Sequence, residues 1–157
     1  MKSCLPRILA GVALASMVAP TSLAQVSVAI KNDQTLSFGS FVAGNGGSVT
    51  VSTTGNRSAG GGVVLIPSSL GTAAQFTVNG DLNATYTIQL PVNDVVSLTG
   101  PGNGMFVNNF TSTPSGVGGQ LGAGGSQALS VGGTLNVGSG QTPGSYSGTF
   151  SVTVSYN

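Results

Sequence analysis

The sequence lacks most of the side chains on which enzymes and metal sites depend. It contains no histidine, no tryptophan and no glutamate, and its single cysteine is Cys4. Without histidine or a later cysteine, neither a Ser/His/Asp or Cys/His nucleophile nor a zinc site built on those ligands can form. We therefore predict a protein that is not an enzyme and that has no catalytic residue, metal or cofactor.

Charged residues are equally scarce. Beyond residue 24 the cations are Lys31 and Arg57 and the acids are Asp33, Asp81 and Asp94, which gives a net charge near −1. No basic patch exists, so nucleic acid and anionic membranes are not expected partners. We expect the aspartates to cap turns, since no Asp-rich ligand loop supports the alternative of a calcium site. A net charge near zero favours association between copies of the chain.

Residues 1–24 have the pattern of a secretory signal peptide. Lys2 and Arg7 give it a basic start, an apolar run of twelve residues follows, and small residues end it at Ala24. The run is too short to span a bilayer. We therefore predict an exported mature chain, residues 25–157, without a membrane span, located in the periplasm, at the cell surface or outside the cell.

Apolar and polar residues alternate along most of the mature chain, which indicates strands with one buried face. Turn signals separate these strands, and no window has a helical repeat. We predict a single domain, residues 25–157, with an all-β fold: an immunoglobulin-like antiparallel β-sandwich of about eight to ten strands. Residues 63–66 are expected to form a central strand, and residues 112–127 a flexible connection. The alternating positions include Leu36, Phe38, Val49, Val51, Phe76, Val78, Tyr86, Ile88, Leu90, Leu129, Val131, Leu135 and Val137.

The chain ends on the sequence GSYSGTFSVTVSYN, which is the most regular stretch of all. Every odd position from 145 to 155 is Ser or Thr, and Pro143-Gly144 predicts a turn that joins the preceding strand, residues 128–138, to this one as a hairpin. An uncharged strand of this kind is a pairing hazard at an open sheet edge, so either the fold or another chain must cover it. The even positions are Gly144, Tyr146, Gly148, Phe150, Val152, Val154 and Tyr156.

The predicted N-terminus of the mature chain has a similar pattern. Val26, Val28 and Ile30 alternate with smaller or polar residues. A terminal segment of this kind can add to a neighbour's sheet through backbone hydrogen bonds, with its alternating side chains filling pockets. These residues therefore form a candidate N-terminal donor strand, although they also fit an ordinary first strand.

A family resemblance rests on the same residues. Gly144 lies fourteenth from the end and Tyr156 is penultimate, and this closing strand resembles the last strand of chaperone–usher pilins. Nearly the whole mature chain resembles the bacterial domain-of-unknown-function 4402 family, which is similar in pattern to spore coat U type pilus subunits. Those stretches are Leu36-Ser37-Phe38-Gly39, Phe76-Thr77-Val78-Asn79-Gly80, Val131-Gly132-Gly133-Thr134-Leu135 and the closing strand.

The resemblance implies a sandwich that is incomplete until a donor strand is added. A periplasmic chaperone would lend a strand beside residues 146–156, and the N-terminal strand of the next subunit would replace it at an outer-membrane usher. Two departures are that only eleven residues precede Leu36 in the mature chain and that the pilin disulfide is absent. The implied contacts with the chaperone or the neighbouring subunit are Gly144, Tyr146, Phe150, Val152, Val154 and Tyr156.

Two functions from different classes follow. The first is a non-enzymatic structural subunit of an exported surface fibre or coat, whose partners are copies of itself or related subunits. The second is a monomeric extracellular binding or adhesion domain that recognises a carbohydrate or a surface. For the second, Phe106 and Phe110 are the best candidates for exposed aromatic side chains, because they flank Asn108 and Asn109.

Overall fold

The computed structural model describes residues 26–116 and 118–157, so the predicted signal peptide lies outside the described residues. In this part of the chain twelve strands and no helix occur, and no helix could therefore cross a membrane. The strands are Ala29–Gln34 (β1), Phe41–Val42 (β2), Gly47–Val51 (β3), Arg57–Gly61 (β4), Val64–Leu65 (β5), Ala74–Asn79 (β6), Thr85–Gln89 (β7), Val96–Leu98 (β8), Met105–Thr113 (β9), Gly119–Gln120 (β10), Ser126–Val137 (β11) and Thr153–Tyr156 (β12).

The larger sheet is built around β11, its longest strand. β11 pairs antiparallel with β6 through Ser126–Val131 and with β3 through Gly133–Val137. Val131 and Leu135 each have a second partner in β9, so β9 lies on the opposite edge of β11. β1 extends the sheet beyond β6, β4 extends it beyond β3, and β8 pairs with β9.

The smaller sheet has the order β10-β7-β12, again antiparallel. In it Tyr86 of β7 pairs with both Gly119 and Tyr156. A separate ladder joins β2 to β5. β12 therefore pairs on one side only and is an edge strand, because β7 is its single partner among the described strands.

The apolar side chains between the sheets form two core clusters. Core cluster 2 lies between β6 and β11 on one side and β7 on the other, and partly buried side chains of β12 cover it. Phe110 and Phe150 pack against both clusters. Core cluster 1 consists of Phe38, Val49, Val51, Val63, Ala73, Val96, Met105, Val107, Leu135 and Val137, and core cluster 2 of Ala74, Phe76, Val78, Tyr86, Ile88, Leu121, Leu129 and Val131.

The predicted all-β, antiparallel, sandwich-like fold is confirmed, whereas an immunoglobulin-like topology stays a prediction. The expected hairpin between residues 128–138 and the closing strand is wrong. β11 already has partners on both edges, so the chain crosses to the smaller sheet and pairs with β7. The central strand over residues 63–66 is also wrong, since only Val64–Leu65 pairs, with β2, and Val64 is 61% exposed. Residues 112–127 include the end of β9, all of β10 and the start of β11.

Truncation of Leu129 tests the core. Leu129 is fully buried in core cluster 2, so Leu129→Ala should lower the free energy of unfolding by about 2–5 kcal/mol. Leu82→Ala is the matched control, since Leu82 is 66% exposed and should change stability by less than about 0.5 kcal/mol. Urea unfolding measures both variants, and equal losses would contradict the assigned core.

Tyr86 gives a prediction at alkaline pH. It is fully buried, its hydroxyl donates to Gln127 Oε1 at 2.7 Å, and burial raises the pKa of the Tyr86 hydroxyl above its ordinary value. Since the unfolded chain then releases this proton at a lower pH than the folded protein, stability is lost as pH rises above about 10. Urea unfolding between pH about 8 and about 11 should show a steeper decline in the wild type than in Tyr86→Phe, and parallel declines would contradict it.

Candidate functional site

The closing strand, residues 144–156, is paired over only part of its length. Thr153–Tyr156 forms the β12 ladder with β7, and Ser147 forms an isolated bridge with Thr99. Between them, residues 148–152 make no backbone hydrogen bond to any other described residue. Buried or protected backbone groups in proteins are nearly always paired, so a run of this length is open to a partner.

The hydrogen bonds that do exist show which edge is free. Ser147 N–H donates to Thr99 O at 2.8–3.0 Å in a reciprocal pair, and Asn157 N–H donates to Thr85 O at 3.2 Å. In an extended strand the backbone groups of successive residues point to opposite edges. The odd residues therefore face their own sheet, and the backbone groups of even residues such as Phe150 and Val152 face the free edge.

The side chains of the closing strand alternate as the sequence predicts. Serines and threonines at odd positions are exposed, whereas the large side chains at even positions are half-buried. Phe150 lies edge-on to Phe76, with ring centroids 6.3 Å apart, and at 5.2 Å from Phe110. The half-buried residues are Tyr146, Phe150, Val152, Val154 and Tyr156.

Beside the first part of this strand lies a groove of about 870 Å³. One wall, which we call the closing wall, is formed by residues 140–150, and the other, the leading wall, by residues 35–44. Core cluster 1 is thus open along one side, because no strand lies between the two walls. The floor consists of Val96, Leu98, Met105, Val107, Phe110 and Leu135.

The structure brings together only part of the predicted contact set at this groove. Gly144, Tyr146 and Phe150 line it, whereas Val152, Val154 and Tyr156 pack against core cluster 2 beyond it. Gly144 is required there, since its φ is 153° and a Cβ atom would collide with the ring of Pro101. The closing glycine is therefore explained by close packing as well as by the turn.

The two tyrosines of the closing strand bind backbone groups through their hydroxyls. Tyr146 Oη accepts a hydrogen bond from Gly102 N–H at 3.0 Å, and Tyr156 Oη accepts one from Asp81 N–H at 2.6 Å. The ring of Tyr156 also covers Gly80, where a side chain would overlap it. The strand is therefore fixed at both ends and unpaired between them.

The candidate N-terminal donor residues lie in the chain's own larger sheet. Ile30 pairs with Val78 of β6, Val28 packs against core cluster 2, and Val26 is 59% exposed. Val26 N–H donates to Asp81 Oδ1 at 3.2 Å. In a single chain this segment thus forms an ordinary first strand, and its donation to a neighbour stays a prediction.

The three aspartates make local contacts. Hydrogen bonds from Thr77 and from Lys31 lower the pKa of the Asp33 carboxyl, whose Oδ1 lies 2.9 Å from Lys31 Nζ. Asp94 Oδ1 accepts a hydrogen bond from Asn108 Nδ2 at 2.9 Å. Among the described residues, no group of three or more potential metal ligands occurs.

A β-bulge separates the two phenylalanines that were candidates for exposed aromatics. Asn109 has a φ of 50°, and the register of β9 against β11 shifts at this point. Asn109 N–H donates to Asn93 Oδ1 at 2.8 Å, which holds the bulge. As bulges re-aim side chains, Phe106 is 44% exposed, whereas Phe110 turns inward to the groove floor.

Sequence reasoning missed the leading wall and the residue that holds it. Arg57 Nη1 donates to Phe38 O at 2.9 Å and to Ser40 O at 3.0 Å, and Arg57 Nη2 donates to Ile66 O at 2.8 Å. The one available signal is that Arg57 and Lys31 are the only cations beyond residue 24. An arginine in so uncharged a chain is a candidate for a specific task.

Comparison with known proteins gives one match. A family model described as a domain of unknown function, DUF4402, matches residues 28–156. No curated protein and no solved structure matches the chain.

A charge at an even position of the closing strand should destabilise the protein. Val152 is half-buried against core cluster 2, so Val152→Asp should lower the free energy of unfolding by at least about 2 kcal/mol and reduce the yield of folded protein. Ser151→Asp, at the exposed neighbouring position, is the control and should behave like the wild type. Equal yields and equal urea midpoints for the two variants would contradict the assigned faces.

Proposed function

The chain belongs to the DUF4402 family, and from that premise we propose that it is a non-enzymatic structural subunit of an exported surface fibre or coat, assembled by β-strand complementation. The observation that carries the proposal is the groove. An apolar floor that belongs to the core lies open beside a closing strand whose residues 148–152 have no backbone partner in the described chain.

The distribution of charge on the sheet edges supports the proposal. Edge strands are usually protected by charged residues or by being short. β1 carries the Lys31–Asp33 ion pair, β4 carries Arg57, and β8 and β10 have only three and two residues. The closing strand has neither protection, although it is the longest edge run. An edge left in this state fits a strand that is to be paired.

A donor strand would complete both the sheet and the core. Its backbone would bond to the free groups of Phe150, Val152 and the neighbouring even residues, and alternate side chains would fill the groove above Leu98 and Val107. Backbone hydrogen bonds would give affinity, and the fit of side chains to the floor would set the register. Because each copy would accept a strand from another copy, the assembly is a non-closing fibre.

The proposed donor is the N-terminal segment of a neighbouring copy, residues 25–33. In the single chain β1 pairs with β6, so donation requires β1 to leave its own sheet. The strand is suited to this, since all six of its residues except Ile30 are exposed and Lys31 and Asp33 pair on its surface. Little apolar burial is therefore lost when β1 detaches.

The remaining parts of the proposal follow from the resemblance to chaperone–usher pilins and spore coat U type subunits. A periplasmic chaperone would fill the groove before assembly, and an outer-membrane usher would be the place of exchange. The protein would reach the periplasm or the cell surface through the signal peptide at residues 1–24. Neither nucleic acid nor a cofactor takes part.

A second candidate function is favoured by the size of the groove. Its volume of about 870 Å³ falls within the range of small-molecule sites, roughly 300–1,000 Å³. The exposed ring of Phe106 lies on the β8–β9 ladder, where it pairs with Ser97. The protein would then be a monomeric extracellular domain that binds a carbohydrate or a surface.

The size of the purified protein tests the proposal. Residues 25–157 should form fibres or a broad series of oligomers in light scattering and negative-stain microscopy. An excess of a peptide with the sequence of residues 25–33 should disperse them, because it occupies the groove without passing on a second sandwich. The matched control peptide carries Val28→Asp and Ile30→Asp, which place charges where apolar side chains are required.

The two peptides separate the candidate functions. Dispersal by the first peptide and not by the second supports strand complementation. A monomer that unfolds cooperatively and binds neither peptide would contradict it and would favour the ligand-binding domain.

A further inference from the structure

The open groove has no ladder to keep its walls apart. Its floor is apolar, so moving the walls together would remove apolar surface from water and would be favourable. Among the described residues, the backbone bond from Gly140 N–H to Gly44 O, 3.3 Å long, is the one that joins the two walls directly, and it lies at one end. Each wall must therefore be held by contacts on its outer side.

Tyr146 holds the closing wall. Its hydroxyl donates to Thr142 O at 2.8 Å and accepts from Gly102 N–H at 3.0 Å and from Gln141 Nε2 at 2.9 Å. These three bonds use the full capacity of a tyrosine hydroxyl, one donated and two accepted. Gln141 Nε2 also donates to Asn103 O at 2.5 Å. The start of the closing strand is thus tied to the loop between β8 and β9.

Arg57 holds the leading wall in a similar way. Its guanidinium reaches from β4 to the carbonyl oxygens of Phe38, Ser40 and Ile66. Gly39, with a φ of 63°, allows this approach, since a Cβ atom there would collide with Arg57 Nη1. The planar fork of an arginine can bind several acceptors at once, and hydrogen bonds from a charged donor are stronger than neutral ones. The leading wall is thus drawn towards β4.

We propose that Tyr146 and Arg57 are positioning residues, one for each wall, that hold the empty groove open in the shape that accepts a strand. The inference rests on the proposed function for its biological purpose. Its physical content is separate, since it concerns the geometry of the single chain. A groove that is already shaped requires less ordering on binding, and this raises affinity.

A distance across the groove tests the proposal without any donor. The chain has no cysteine besides Cys4, so Cys4→Ser with Val42→Cys and Thr149→Cys provides two unique, exposed sites for spin labels on opposite walls. Double electron–electron resonance should give a single narrow distance distribution in the otherwise wild-type protein. Tyr146→Phe and Arg57→Lys should each give a broader distribution with a shorter mean distance.

The matched control is Tyr86→Phe. It also removes one tyrosine hydroxyl bond, but this bond, to Gln127, lies in core cluster 2 and away from the groove. It should lower stability and leave the distance distribution unchanged. Distributions for Tyr146→Phe or Arg57→Lys that match the control would overturn the assignment for that residue.

Affinity gives a second readout. Binding of the peptide with the sequence of residues 25–33 should weaken by about tenfold in Tyr146→Phe and in Arg57→Lys and remain unchanged in Tyr86→Phe. If the wild type binds no peptide, the proposed donor is wrong, whereas the distance measurement still decides the roles of Tyr146 and Arg57. Failure of the proposed function and failure of this inference are therefore distinguishable.

Discussion

The structure depends on one unfilled backbone ladder. Residues 148–152 of the closing strand lie beside an open groove and make no backbone hydrogen bond within the described chain. On the other side of the same residues the core is complete, since Phe150 packs on Phe76 and Phe110. The protein thus combines a folded core with an edge that only another strand can satisfy, and its uncharged surface does little to keep such a strand away.

The two halves of the sandwich differ for a physical reason. Over core cluster 2, β7 and β12 form a ladder, and the fully buried Tyr86 fixes their position. Over core cluster 1 the corresponding cover consists of two walls held from outside by Arg57 and Tyr146. Stability and binding are therefore assigned to different parts of one domain, and a change in one half need not disturb the other.

Much of this arrangement could be predicted from the sequence. The alternation at 76–78, 86–90 and 129–137 identified β6, β7 and β11, because each of these strands has one buried face. The closing strand was predicted to be a candidate contact from its lack of charge. The partners of strands could not be predicted in the same way: Pro143-Gly144 indicates a turn but not that β11 has no free edge.

The groove itself could not be predicted, because it is formed by residues distant in sequence. The leading wall has a short β2 ladder and a single bridge at Ser37, so its pattern is weak, and Arg57 acts through carbonyl oxygens that carry no sequence signal. Phe110 shows the same limit, since a bulge at Asn109 turns it inward against the simple alternation.

Amide hydrogen exchange at the closing strand tests the central claim most directly. The account predicts that Phe150 and Val152 N–H exchange rapidly in the isolated protein, whereas Ser147 N–H, bonded to Thr99 O, is protected. On assembly or on addition of a donor strand, Phe150 and Val152 should become protected. Protection of both amides in the isolated monomer would contradict the account, because the ladder would then already be filled.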